Sequence, residues 1–358
     1  MKTSLRALLT ISLALVVLLG LSGCGNSGSS TWSANSFAYI QYENSGDAST
    51  SHTHANLHKS HKSSQTVSVH KAGKRSAKAN IDLETGSADI YVYNTSTSTN
   101  TELASGYNLY SAQLSQDGTK LLAGGWDSNG YAQIYIADAK FDTVTQLTTD
   151  ENDHWDPTLS ADGSTVAYDV EGALYTISSS GGTPTAYTGA ISALWAWAPA
   201  FTPDGKSLVF CGEYYNETAG YYADLIFSVN LSTAALTQLS ANNTTSGSVY
   251  TYDGFPVVST DGKTVAFSRE VYNESKGTET ENIATIKISG ETTANPATVL
   301  TTDGEAWQPQ YLGSKILYLD WSDSTTDNAY NIYEMNADGS SVTRLTNTTL
   351  NDVFDGDD

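Results

Sequence analysis

Short runs in which apolar and polar positions alternate recur along the chain: TVAYDV at 165–170, SLVFCG at 207–212, TVAFSR at 264–269 and KILYLD at 315–320. Period-two alternation over about six residues predicts a strand with one buried face. Each run follows a tight-turn phrase. SADG ends at Gly163, TPDG at Gly205 and STDG at Gly262, a worn form ends at Gly313, and SQDG ending at Gly118 precedes KLLA. Asp-Gly supplies the positive φ angles that a hairpin turn needs. Before each turn stands an apolar segment, opened in four copies by Pro157, Pro199, Pro256 or Pro309. A third strand of the form apolar-Tyr-apolar comes after, as in QIYIAD at 133–138 and NIYEMN at 331–336, and then a Thr-rich fourth ending in Leu-Thr, as in VTQLTT at 144–149 and VTRLTN at 342–347.

Four short antiparallel strands per unit, here called A to D, repeated with turns between, predict the blades of a propeller. The turn glycines are 45, 42, 57 and 51 residues apart, which suits one blade plus variable loops; a tandem of sandwich domains needs about 100 residues per unit. Five copies are plain. A sixth is assembled from SFAYIQ at 36–41, DIYVYN at 89–94 and TELAS at 101–105, interrupted by an insertion of about 45 residues at about 43–87. NDVFD at 351–355 repeats NDHWD at 152–156, the phrase that leads into a new blade, so the chain re-enters the first blade's sector as a closed ring requires. The phrases P-x-[apolar]-[ST]-x-D-G-[KTS] and IY…LT resemble the WD40-like (PD40) repeats of TolB-type propellers over about residues 32–350. The resemblance implies an all-β fold, a six-bladed TolB-like propeller of four-stranded antiparallel blades, without the separate amino-terminal domain of a full TolB.

The amino-terminal stretch reads differently. Lys2 and Arg6 precede an apolar run at 7–20 and then LSGC at 21–24, the pattern of an export signal rather than a spanning helix. LSGC resembles the lipobox of bacterial lipoproteins, which implies cleavage before Cys24 and its lipidation. Two or more acyl chains suffice for stable anchoring. The expected organisation is a lipoprotein signal peptide at 1–23, a flexible tether at 24–31 and the propeller at 32–358. Gly25 after the Cys directs the expected location to the outer membrane in a Gram-negative cell, and otherwise to the outer leaflet of the cell membrane. Cys211 is then the remaining thiol, read as a buried structural Cys with no intrachain disulfide.

Net charge is −22, which excludes nucleic acid as a partner class. All 39 acidic residues lie outside 51–80, a window that holds Lys59, Lys62, Lys71, Lys74, Arg75 and Lys78. The same segment holds His52, His54, His58 and His61, whose spacing is the one candidate transition-metal set. Its Ser- and Lys-rich, aperiodic character reads instead as a basic loop. Acidic loop phrases such as DWSDSTTDN invite Ca²⁺ but lack EF-hand spacing, so the expectation is no cofactor, with Ca²⁺ or a transition metal as the alternative.

In a blade the A–B and C–D turns share one face and the other connections share the opposite one. The long connections 43–87, 211–223, 241–254, 270–281 and 320–329 all fall on that opposite face, where binding surfaces are usually built. The candidate binding residues lie there too: Tyr107, Tyr110, Asp153, His154, Trp155, Asp156, Trp195, Trp197, Tyr250, Tyr252, Asp253, Glu305 and Trp307. They are aromatic surfaces rimmed by carboxylates, suited to sugars or peptide side chains. Trp155, Trp197 and Trp307 each stand two residues before the repeat proline, so packing between blades is the alternative for those three. No nucleophile elbow, HExxH or phosphate-binding loop is present. The expectation is a monomeric, non-catalytic binding or scaffold propeller for an envelope protein or glycan; the alternative is a metal-dependent polysaccharide lyase or hydrolase.

Overall fold

The structure is a computed structural model that describes residues 32–42, 88–216, 221–241, 249–292, 296–321, 329–347 and 351–354. Six four-stranded antiparallel sheets form a propeller ring. Blade 2 is built from Leu109–Leu114, Lys120–Trp126, Ala132–Asp138 and Val144–Gln146. Blade 3 follows with Trp155–Leu159, Thr165–Val170, Ala173–Ser178 and Thr185–Ala186. Blade 4 uses Trp195–Phe201, Ser207–Asn216, Tyr221–Asn230 and Leu236–Gln238, and blade 5 uses Val249–Val258, Thr264–Asn273, Thr278–Lys287 and Thr298–Val299. Blade 6 comprises Ala306–Leu312, Lys315–Asp320, Asn331–Asn336 and Thr343–Arg344. Blade 1 joins the two ends of the ring: Asn351–Val353 supplies its strand A against Ser36–Tyr42, with Ala88–Asn94 and Thr99–Tyr107 outside them.

The repeat phrases each do a physical job. The turn glycines Gly118, Gly163, Gly205, Gly262 and Gly313 all have φ between 61° and 71°, open only to glycine at little cost. In blade 3 Ser160 Oγ donates to Asp162 Oδ1 at 2.7 Å and accepts from Thr165 N at 3.0 Å, closing the hairpin from within. The Leu-Thr ending clamps the start of strand C. Leu147 N donates to Ile134 O at 2.7 Å, and Ile134 N donates back to Thr148 Oγ1 at 2.9 Å. The same exchange joins Ile226 to Leu239 and Ser240, Ile283 to Leu300 and Thr301, and Ile332 to Leu345 and Thr346.

The core lies between blades. The fourth residue of strand B is a fully buried aromatic in five of the six: Tyr39, Tyr168, Phe210, Phe267 and Tyr318. In four of these it stacks on its cross-strand partner, as Tyr168 does on Tyr175 with centroids 5.7 Å apart. Such pairs add about 0.5–1.5 kcal/mol each beyond their buried area. Blade 2 has Ala123 at this position, and its partner Tyr135 is fully buried instead.

One expectation is corrected. Segments 211–223, 241–254 and 270–281 were expected as loops, but 211–216, 221–223, 249–254, 270–273 and 278–281 continue the strands: in blades 4 and 5 strands B and C are each ten residues long, against six in blade 3. Four extra residues carry a strand roughly 13 Å further. The signal was hidden because Glu is poor in strand propensity, yet in EVYN and TETEN it sits opposite Tyr or Glu on the neighbouring strand. The insertion at 43–87 and residues 1–31, with Cys24, His52, His54, His58 and His61, lie outside the described residues.

Candidate functional site

Strand A breaks register at the repeat proline. The residue before it holds a left-handed conformation in four blades: Asp156 (φ 49°), Ala198 (46°), Phe255 (50°) and Gln308 (46°). The pairing skips there, between Trp155 and Thr158, Trp197 and Ala200, Gly254 and Val257, and Trp307 and Gln310. These are β-bulges, which bend a strand and re-aim its side chains. Bonds between blades hold them: Ala198 N donates to Asp156 Oδ2 at 2.8 Å, and Gln308 N donates to Ser268 Oγ at 3.0 Å. Pro157, Pro199, Pro256 and Pro309, with Phe354 and Gln113, thereby line the central channel, a space of about 80 Å³.

Four of the eight Tyr and Trp candidates, Tyr110, Trp155, Trp197 and Trp307, pack against neighbouring rings behind this wall. Tyr110 is 3% exposed, donates its hydroxyl to His154 O and packs on Trp126 and Trp155 at 5.2 and 4.9 Å. Gly124 makes that possible, because a Cβ there would come within 2.2 Å of the Tyr110 ring. Trp197, Phe255, Trp307, Tyr330 and Trp321 form an unbroken run of edge-on and tilted ring contacts across blades 4, 5 and 6. Tyr107 packs edge-on against Phe141 of blade 2. The packing alternative therefore describes Trp155, Trp197 and Trp307. Trp126, Phe255, Tyr330 and Trp321 were not foreseen, although Phe255 stands directly before Pro256.

Three polar candidates expected on the face are buried instead. His154 is 2% exposed, with Nδ1 3.1 Å from Ala132 O and its ring beside Tyr168. Asp156 ties blade 3 to blade 4 as described above. Asp253 is fully buried, paired with Arg269 at 2.7 Å (Nε to Oδ1) and 2.9 Å (Nη2 to Oδ2). Glu291 stands 3.7 Å from the same guanidinium, which also lies 5.1 Å from the Phe267 ring centre. Their proximity to tryptophans was legible in sequence, whereas partners 16 to 42 residues away were not. Asp153 is exposed and caps Ala132 N at 2.9 Å. Trp195 is 41% exposed and lies across Gly172, whose absent Cβ would sit 2.4 Å from its ring.

Tyr250, Tyr252 and Glu305 do come together, on the extension of blade 5. Cross-strand partners share a sheet face. Tyr252, Glu270 and Glu281 form one row and Tyr250, Tyr272 and Glu279 the row beside it. Tyr250 stacks on Tyr272 at 6.3 Å and donates to Glu274 Oε2 at 3.3 Å. A bridge sets Glu305 beside Glu281, and Glu281 N donates to Gly304 O at 2.9 Å. Burial, and then the facing Glu270 and nearby Glu279, push the Glu281 carboxyl well above its ordinary range; Ser268 partly offsets this by hydrogen bonding. Glu279 and Glu305 are raised too, first by burial and then by neighbouring carboxylates. The ledge thus joins tyrosine faces to a row of carboxyls whose affinity for protons is raised, Glu281 most of all. Among the described residues no three His, Cys, Asp or Glu side chains converge as a metal site.

No family model matches this chain, and no curated protein matches it in sequence. Solved structures match in shape. A protein assigned as TolB in Agrobacterium tumefaciens aligns at TM-score 0.57 and 20% identity over 76% of this chain and 91% of its own. TolB from Acinetobacter baumannii aligns at 0.61 and 15% over 89% of this chain, and hydrazine synthase of Kuenenia stuttgartiensis at 0.62 and 14% over 90%. This chain spans 65% of the second protein and 46% of the third. At these identities the likeness shows the fold, a six-bladed TolB-like propeller.

Proposed function

We propose that this chain is an exported, lipid-anchored propeller that acts as a monomeric, non-catalytic binding scaffold for a protein or glycan partner in the bacterial cell envelope. The observation that carries this reading is the extension of blade 5, whose blade-6 side presents Tyr250, Tyr252, Tyr272, Glu279 and Glu305 around Glu281. Half-buried tyrosines offer large contact area at low entropic cost, and the carboxyls fix orientation. Trp195 adds an exposed ring on blade 4. The anchor is Cys24, carried to the outer membrane of a Gram-negative envelope or to the outer leaflet of the cell membrane.

The test is capture of envelope proteins and of soluble envelope glycans by the purified chain and by its Tyr252→Ala/Tyr272→Ala variant. At least a tenfold loss of the captured species is expected. Equal capture by both would overturn the site, and capture of nothing by either would overturn the scaffold reading. For the anchor, Cys24→Ser is expected to leave the membrane fraction, and a variant that stays there rules the lipid out.

A further inference from the structure

Ring closure depends on three residues. In Asn351–Val353 the middle one, Asp352, pairs with Gln41 in register and is fully buried. Gln41 Nε2 donates to Asp352 Oδ1 at 2.8 Å, and Asp352 N donates to Tyr330 O of blade 6 at 3.2 Å. Asp352 Oδ2 is buried with no partner in hydrogen-bond geometry among the described residues. A fully buried carboxylate held by so few donors is costly when ionised and tolerable when neutral. The next residue, Phe354, packs edge-on against Phe37 at 6.0 Å and accepts from Ala112 N of blade 2 at 3.2 Å. One short segment therefore ties blades 6, 1 and 2 together beside the channel.

The surroundings of Asp352 are sparse in compensating charge. From Ser36–Tyr42 the Tyr39 hydroxyl faces it, fully buried and accepting from Asn100 Nδ2 at 2.7 Å. Tyr91 stacks on Tyr39 in the next strand, where Asp89 occupies the other side of Gln41, and Glu102 faces Tyr91 from the outermost strand. Blade 6 contributes the Thr346 hydroxyl and the Arg344 guanidinium, both favouring the ionised form, but burial outweighs them.

We propose that the junction between Asn351–Val353 and Ser36–Tyr42 is a proton-dependent latch, shut when Asp352 is neutral and loosened when it ionises. Burial pushes the Asp352 carboxyl up to about 7 from an ordinary 3.8. Because the folded value is raised, the stabilisation is complete below about 4 and is lost as pH rises through about 7. The two values imply a fall of up to roughly a thousandfold in the closed-to-open ratio between acid and alkaline conditions. Loosening would free Phe354 from the channel wall and leave blades 2 to 5 shut.

Hydrogen exchange of the full chain at pH 5.5 and pH 8.5, corrected for intrinsic rates, tests this. Peptides covering Ser36–Tyr42 are expected to lose at least tenfold protection at the higher pH while peptides covering Thr165–Val170 keep theirs. Asp352→Asn is expected to hold full protection at both pH values, and Gln41→Leu, which removes the donor favouring ionisation, to move the midpoint upward. Equal protection of wild-type blade 1 at both pH values overturns the latch. So does a wild-type pH response in Asp352→Asn or, should that variant not fold, an unmoved midpoint in Gln41→Leu.

Discussion

Blades 3 and 5 use one grammar to different ends. At the Asp-Gly face they are alike: Ser160–Asp162 and Ser259–Asp261 bond at 2.7 and 2.8 Å, and Asp156 and Phe255 hold the same left-handed bulge before a proline. At the other face blade 3 turns from strand B to strand C through Glu171 and Gly172, whereas blade 5 carries three strands of ten residues. The short blade fills its interior with Tyr168 on Tyr175 and the long one with a buried ion pair below facing carboxyls. A propeller can therefore change its chemistry at one end of the strands while the ends that set the ring stay fixed.

The largest expected effect tests whether the long blade depends on its buried charge. Arg269→Ala leaves Asp253 ionised, or forced neutral, in a site with no solvent access, and should cost about 3–5 kcal/mol in urea unfolding at pH 7. Replacing Asp253 as well, Arg269→Met with Asp253→Leu, should recover part of it, because Glu291 still loses its cation. Lys206→Ala removes an exposed pair with Asp204 at an Asp-Gly turn and should change nothing measurable. Similar losses from Arg269→Ala and Lys206→Ala would erase the distinction between the two ends of the blades.

How much of this was legible follows the same division. Asp-Gly, the repeat prolines and Leu-Thr act within a few residues of themselves, so blade number and the closing segment that begins at Asn351 could be read directly. The candidate face was legible only as a gathering of aromatic and acidic residues just before strand A. Tyr252 and Glu305 were named as candidates, but their neighbours Glu270, Tyr272, Glu279 and Glu281 were assigned to a loop, because strand pairing across the blade is not written in local alternation. Asp253 was misplaced for the same reason, since nothing local marks Arg269 as its partner. The basic segment at 51–80 and Cys24 lie outside the described residues.

A smaller effect sharpens the comparison by pH. Burial and Glu270 directly opposite push the Glu281 carboxyl well above its ordinary range, whereas the strand pair of blade 3 has no facing carboxyls. With a raised folded value, its contribution is complete below the ordinary 4.5 and declines as pH rises above it. Glu281→Gln should match wild type at pH 4 and exceed it in thermal stability at pH 8. A variant whose pH dependence follows wild type throughout would show that the ledge carboxyls do not interact.

The smallest effect concerns the face where the blades agree. Ser160→Ala and Ser259→Ala each remove one hydroxyl that bonds the turn aspartate and accepts a strand amide, Thr165 N or Thr264 N, at 3.0 Å. Each loss should be about 1 kcal/mol by equilibrium unfolding, and the two should agree within about 0.5 kcal/mol because the surroundings repeat. The hydrogen bonds from Ser160 and Ser164 hold the Asp162 carboxyl down at about 2. A lowered folded value gives a contribution present above the ordinary 3.8 and lost as pH falls through about 2, so Ser160→Ala should move the Asp162 titration upward when followed by NMR. If Ser259→Ala proved clearly the costlier, the long blade would be reshaping its base as well as its crest, and the separation between ring-forming and variable ends would fail.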